Sequence, residues 1–233
     1  MRIAAFGDTH GRTNWVNYVF RNDFDKIVFM GDYFDSHEDI TADTQKANFE
    51  DIIGFKHRNM DQVVLLLGNH DYHYLNSVEE CYSGFQSCQK TDIGELLHNA
   101  IDNDLVQMCF GPDNYLFTHA GVTKTWLAST GYNGGAPIDR YINDLFQYKP
   151  LSFVFTIGQN RSPYGDDVTQ SPIWVRPKSL LQDMIDGYIQ VVGHTGQEHI
   201  TFIDEKLALI DTMGTSGEFL VIDDGVMLTF PVL

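Results

Sequence analysis

The sequence predicts an α/β fold in which buried strands deliver polar side chains to one edge of a sheet. Three observations point there. Short apolar runs without polar alternation recur at residues 2–6, 27–30 and 63–67, the pattern of strands buried on both faces. Each run stops at a glycine followed by ligand-type residues: Gly7-Asp8-Thr9-His10, Gly31-Asp32-Tyr33-Phe34-Asp35 and Gly68-Asn69-His70-Asp71. Two later runs, Tyr115–Thr118 and Ile189–Gly193, end directly in His119 and His194. Oxygen and imidazole donors at five strand ends are what a metal site at the C-terminal edge of a sheet requires.

Taken in order, residues 2–6 are expected to form a central strand, and Gly11–Phe20 a helix burying Trp15, Val16, Val19 and Phe20. A second strand follows at 27–30, then a polar, acidic loop from Ser36 to Thr44. A helix is expected from about Asp43 to Met60, with Ala47, Phe49, Ile52, Ile53 and Phe55 on its apolar side. After the third strand, the segment 72–103 reads as a helical insertion, with helices around 77–89 and 92–101, forming one wall of a cleft. Its Tyr72, Tyr74 and Tyr82 either join the core or stack on a ligand.

Val106–Phe110 and Tyr115–Thr118 are expected to pair across the turn Gly111-Pro112-Asp113-Asn114. Ile138–Gln147 reads as a helix, and Leu151–Ile157 as either a strand or a buried helix end. Asn160–Thr169 is a polar loop. Pro177 limits regular structure after Ile173-Trp174-Val175-Arg176, and Ser179–Met184 is a short helix. The tail predicts strands at 189–193, 200–203, 207–211, 218–222 and 226–230. Asp204-Glu205-Lys206 and Asp223-Asp224-Gly225 close its two hairpins.

The chain has 233 residues, enough for one domain over 1–233 with a sizeable core. Its 32 acidic and 15 basic residues give a formal charge of -17, and two divalent ions would bring this only to -13. No basic footprint for nucleic acid or an anionic membrane exists. The three cysteines are too few for a disulfide framework. Cys81 and Cys88 are expected to meet as a buried thiol pair on one helix face. With no leader-like or membrane-spanning run, a reducing, cytoplasmic setting is expected.

The donor set of carboxylate, imidazole and amide, without thiolate, suits manganese, iron or zinc better than magnesium. Any one of these residues could instead cap a helix or tighten a turn. Six of them, Asp8, His10, Asp32, Asn69, His119 and His194, all stand just beyond apolar strands.

These motifs, together with His119-Ala120-Gly121, Gly193-His194-Thr195 and Ile210-Asp211-Thr212-Met213-Gly214, carry a resemblance from residue 3 to about 222. The chain resembles the calcineurin-like metallophosphoesterases. It is most similar to their branch of serine/threonine phosphoprotein phosphatases and dinucleoside tetraphosphate hydrolases. The resemblance implies two mixed β-sheets sandwiched between helices in four layers (αββα). It also implies two divalent metal ions, with Mn2+ the first expectation and Fe, Zn, Ni or Co as alternatives.

Matched motif by motif, Asp8 and His10 would hold one ion, Asp32 would bridge, and Asn69, His119 and His194 would hold the other. His70 would be the general acid, oriented by Asp35. The implied reaction is hydrolysis of a phosphate ester by a metal-bridging hydroxide. In two places where that branch carries a phosphate-gripping arginine, this chain has Ser36 and Leu67. Gly196 stands where the broader family has a further histidine. Arg176, in a stretch similar to the Trp-(Ile/Val)-Arg of dinucleoside tetraphosphate hydrolases, is the expected phosphate clamp, with Arg12 and Arg161 behind it.

The expected substrates are phosphate monoesters, as a phosphopeptide or a phosphorylated small molecule. Hydrolysis of phosphoanhydrides in dinucleoside polyphosphates is the alternative, and a non-catalytic protein-binding scaffold the third reading. The cysteines lack a phosphate-cradling loop, and the glycine-rich fragments lack the Lys-Ser/Thr of a nucleotide-binding loop.

Overall fold

The computed structural model describes residues 1–19, 23–75 and 80–231. Apolar strands build two sheets. The first has six strands: β1 (Arg2–Phe6), β2 (Lys26–Phe29), β3 (Val63–Leu66), β4 (Val106–Gln107), β10 (Glu218–Asp223) and β11 (Val226–Pro231). Their spatial order is β11-β10-β1-β2-β3-β4. The second has five: β5 (Cys109–Phe110), β6 (Tyr115–Thr118), β7 (Ile189–Val192), β8 (Thr201–Ile203) and β9 (Leu207–Leu209), in the order β5-β6-β7-β9-β8.

Alternation within each strand explains why the runs read as continuously apolar. Ile3, Ala5, Val28, Met30, Val64 and Leu66 face the second sheet, meeting Phe117, Val191, Ala208 and Ile210. Their neighbours Ala4, Phe6, Ile27, Phe29, Val63 and Leu65 face an outer helical layer. On the far side, Val192, Leu207 and Leu209 pack with Val175 and Leu180. The result is two mixed sheets back to back between helices, and each fully buried aliphatic or aromatic side chain contributes about 1.5–3 kcal/mol. Among the described residues no helix is long and apolar enough to cross a membrane.

Strand direction positions the site. β1, β2, β3 and β4 are mutually parallel, as are β6, β7 and β9. The residues that follow β1, β2, β3, β6, β7 and β9 therefore emerge at common edges, the ligand-rich side of an α/β sheet.

Several expectations are corrected. The helix expected over Gly11–Phe20 is only the turn α1 (Val16–Val19), preceded by irregular chain that bends around the ligand edge; Phe20 lies outside the described residues. The next helix, α2 (Ala42–Arg58), matches its expected span and is capped by Thr41, whose Oγ1 accepts from Thr44 N. Ala47 is exposed, and the inner face instead recruits Gln45 and Asn48, the latter accepting a hydrogen bond from Trp15 Nε1.

The first helix of the insertion does not form over 80–86, which is irregular chain ahead of a 3-10 turn at Ser87–Gln89; Val78 lies outside the described residues. Cys81 and Cys88 are consequently exposed, not a buried pair. The second helix is α4 (Lys90–Asp102), following the turn α3 (Asn69–Tyr72).

Residues 106–110 do not form one strand. They split at Met108, so β4 joins the first sheet and β5 the second. Asn143 holds that break: its Oδ1 accepts from the Met108 and Cys109 amides and its Nδ2 donates to Cys109 O. Asn143 sits on α6 (Ile138–Tyr148), which follows α5 (Lys124–Ser129). Leu151–Ile157 is neither strand nor α-helix but a 3-10 turn at Pro150–Phe153 running into irregular chain. Pro177 starts α7 (Pro177–Asp183) rather than limiting it, because a first-turn residue needs no N–H donor. The Asp223-Asp224-Gly225 hairpin forms as expected, with Asp224 at φ 45° and Gly225 at φ 85°.

Candidate metal centre

Each ligand-bearing turn is bent by a local feature. His10, Asp32, Asp35 and His194 all adopt left-handed backbones, at φ 44°, 52°, 62° and 62°. Such conformations cost a non-glycine residue roughly 1–3 kcal/mol and collect at functional sites. The buried strands behind them are ample to offset that. Two glycines permit close approach: a Cβ on Gly68 would stand 2.1 Å from Asp32 Oδ1, and one on Gly193 2.2 Å from Asp8 Oδ1.

The turns are stitched together through main chain. Asp8 carboxylate oxygens accept from His194 N at 3.1 and 3.0 Å, joining the two sheets. Asp32 Oδ1 accepts from His70 N at 2.8 Å. Asp71, fully buried, accepts from the amides of Asp32 (2.8 Å), Tyr33 (2.8 Å) and Gly68 (2.9 Å), locking the second turn to the third.

This leaves Asp32 Oδ2 facing inward, 3.3 Å from His119 Nε2 and 4.0 Å from His10 Nε2. Two ligand groups thus share one carboxylate: Asp8, His10 and Asp32, and Asp32, His119 and His194. Asn69 Oδ1 lies 3.1 Å from His119 Nε2 and joins the second. All six residues expected at the strand ends come together.

The imidazoles are arranged as ligands. His10 Nδ1 contacts Phe34 O at 2.5 Å, His119 Nδ1 contacts Met30 O at 2.8 Å, and His194 Nε2 contacts Trp174 O at 3.2 Å. In each ring one N–H donates to a backbone carbonyl, so the other nitrogen turns its lone pair toward the cluster. Burial lowers the His10 pKa to about 4, and burial followed by Arg176 pushes His194 well down, so both rings are neutral. Burial pushes Asp8 well up, reinforced by Asp211 and Asp32, and pushes Asp211 up to about 6. Burial works against Asp32 ionisation, but His119 and His70 outweigh it and hold it low. Crowded carboxylates that must take up protons when no cation is near are the donor chemistry a pair of divalent ions would fit.

Beside this cluster, His70 Nδ1 contacts Asp35 Oδ2 at 3.0 Å, and the His70 ring lies 5.5 Å from that of His10. Arg176 is half-buried at the rim. Its Nη1 donates to His194 O (3.2 Å) and Thr195 Oγ1 (3.1 Å), and its Nε to Tyr164 O (2.8 Å). Among the described residues its Nη2 makes no hydrogen bond. Arg12 is engaged by Glu38 at 2.7 Å and by the carbonyls of Asp8 and Thr9. Arg161 sits on an exposed turn. Leu67 is fully buried, and Ser36 Oγ caps Glu38 N, so neither gives a phosphate grip. The space left by Gly196 faces Asp211, whose Oδ2 is 3.7 Å from the Cβ position.

Sequence reasoning passed over Asp71, Asp211 and His73. Asp211 follows β9 as the six expected ligands follow their strands, and that was the signal available. Asp71 looked like part of a motif with no task of its own.

Among curated proteins no relative matches this sequence. A solved structure of a protein serine/threonine phosphatase from Saccharomyces cerevisiae, described as similar to human phosphatase PP5, superposes with a TM-score of 0.58. It is 15% identical, and the match covers 100% of this chain and 80% of that one. At that identity the likeness speaks for the fold. The family model for calcineurin-like phosphoesterases matches residues 1–198. With that match over most of its length, and the ligand clusters at its strand ends, the chain belongs to the calcineurin-like phosphoesterase family.

Proposed function

We propose that this protein is a dinuclear, manganese-dependent phosphatase acting on phosphate monoesters, either a phosphopeptide or a phosphorylated small molecule. One observation carries the reading: Asp32 Oδ2 is shared by two ligand groups, with the His70–Asp35 pair directly alongside. Asp8, His10 and Asp32 would hold one ion; Asp32, Asn69, His119 and His194 the other. Bound divalent ions supply charge neutralisation for phosphate oxygens and acidify water.

The protein's own groups do the rest. His70, hydrogen-bonded through Nδ1 to Asp35, keeps Nε2 for donating a proton to the departing oxygen. Arg176 is anchored through Nε and Nη1, so Nη2 is set to meet a phosphate oxygen, and its planar fork suits that task. Arg12 supports the first turn from its seat on Glu38, and Asn69 adds an amide donor for phosphate.

A dinucleoside polyphosphate would need an open aromatic face for its base. Tyr72 and Tyr74 are fully buried, and Trp174 is closed off by Tyr82 and Phe155. That favours the monoester over the anhydride. A non-catalytic scaffold would have no use for the His70–Asp35 pair. The acidic surface fits a cytoplasmic protein without nucleic-acid or membrane partners.

The test is to strip the protein, reload it with Mn2+, and compare kcat/KM for an aryl phosphate, its diester, a phosphopeptide and diadenosine tetraphosphate. A monoester preference of tenfold or more is expected. Preference for the dinucleotide would reassign the site, and inactivity with every divalent metal would favour the scaffold.

A further inference from the structure

Asp35 has more partners than an orienting carboxylate needs. It is fully buried, and its Oδ2 meets His70 Nδ1 at 3.0 Å and His73 Nε2 at 2.6 Å. Its Oδ1 accepts from Tyr74 Oη at 2.5 Å and Gln86 Nε2 at 3.2 Å. The unexpected member is His73. It is fully buried, stacked on Tyr82 with centroids 5.2 Å apart, and edged by Phe85 and by His70 itself.

The tautomer of His73 follows from its other nitrogen. Nδ1 accepts the backbone N–H of Tyr82 at 3.2 Å, so the neutral ring must carry its proton on Nε2. Nε2 makes no well-aligned hydrogen bond, yet the Asp35 carboxylate is its close neighbour. Its N–H dipole therefore acts on Oδ2, the oxygen that His70 also uses.

Asp35, His70 and His73 also form a third group of ligand-type atoms within 4.8 Å of one another. A cation there would need a bare Nε2 on His73, hence a proton on Nδ1. That proton would point at the Tyr82 N–H, donor against donor. The arrangement suits a hydrogen donor to Asp35, not a metal ligand.

We infer that His73 is a positioning residue: as the neutral Nε2–H tautomer it fixes the Asp35 carboxylate, and so the ring of His70, for proton delivery. This rests on His70 acting as the general acid. His73 surrends no proton; the proton reaching the leaving oxygen comes from His70 Nε2. The sequence places His70 and His73 three residues apart, so one helical turn at α3 brings both rings to one side.

General-acid catalysis matters most when the leaving group is poor, which gives a readout that mere structural damage would not move. Kinetics should be measured for His73→Leu and His73→Gln on a dinitrophenyl phosphate and an alkyl phosphate, with His70→Asn as reference. His73→Leu should lose about tenfold or more in kcat on the alkyl ester, a fraction of the ~10²–10⁴ a general acid supplies. Its loss on the dinitrophenyl ester should be much smaller, and KM and bound metal should stay near wild type. His73→Gln, which keeps an N–H, should recover most of the loss.

Equal losses on both esters, no loss on either, or a third bound metal that disappears in the variant would each overturn the inference. If His70→Asn itself shows no leaving-group dependence, the reading of His70 fails first. Should His73→Leu not fold, ¹⁵N-histidine NMR of the wild-type protein decides. An Nε2–H signal for His73 is expected, and an Nδ1–H tautomer or a doubly protonated ring overturns the proposal.

Discussion

Arg176 reaches the centre from the loop before α7, and its position depends on carbonyls, not on an opposing acid. Tyr164 O and His194 O hold two of its nitrogens, while burial lowers its pKa against the nearby carboxylates. With Ser36 and Leu67 standing where arginines were sought, this guanidinium is the grip we propose for a substrate phosphate. Arg176→Ala should therefore raise KM or cut kcat/KM by more than tenfold, with bound metal unchanged by metal analysis. Unaltered kinetics would remove it from the site. The residue was legible from its Trp-Val-Arg context. Its mode of anchorage was not, because the carbonyls that seat it are 12 and 18 residues away in sequence.

At the scale of elements, the strand-to-turn junctions matter most. The third junction has no room to spare, since a Cβ at Gly68 would meet Asp32 Oδ1, Asp32 N and His119 Cε1 all within 2.7 Å. All three atoms belong to two residues of the ligand groups, Asp32 and His119, and none is a flexible chain end. Gly68→Ala should weaken Mn2+ binding by at least tenfold in calorimetry while leaving far-UV circular dichroism near wild type. Normal metal affinity would mean that the junction yields more than its packing implies. The glycines before Asp8, Asp32, Asn69 and His194 were visible in the sequence. Which ligand it makes room for was not, because Gly68 clears space for Asp32 and Gly193 for Asp8, residues on other strands.

Across the whole molecule, metal, protons and stability are linked. In the metal-free fold, burial followed by Asp211 and Asp32 raises Asp8, while Asp32 raises His119 against the opposing effect of burial. A group raised on folding contributes stability fully below its unfolded value and loses it as pH climbs through its folded value. His10 and His194, already neutral in the fold, have no proton to give up when a metal binds. Divalent ions replace the displaced protons, so their benefit should grow with pH. The gap in Tm between Mn2+-loaded and chelator-treated protein should be wider at about pH 8 than at about pH 6, with net proton release on binding. A gap that is constant with pH, or proton uptake, would contradict the pattern of shared carboxylates.

The sequence alone determined the α/β class, most of the strands and the gathering of six ligand-type residues at their ends, because buried strands and their polar ends are local patterns written in consecutive residues. The tail hairpins were legible for the same reason. Where the chain departs from a regular pattern, neighbours decided instead. Asn143 breaks 106–110 into strands of two different sheets, and a run of five residues carries no trace of that. The segment 80–86 has helical spacing but lies flat, where Gln86 and Tyr82 serve Asp35 and His73 rather than a helix. Only the tertiary structure gave Asp71, Asp211 and His73 their tasks. Each acts on a partner brought close by strand pairing or sheet packing, and proximity of that kind has no signature in sequence order.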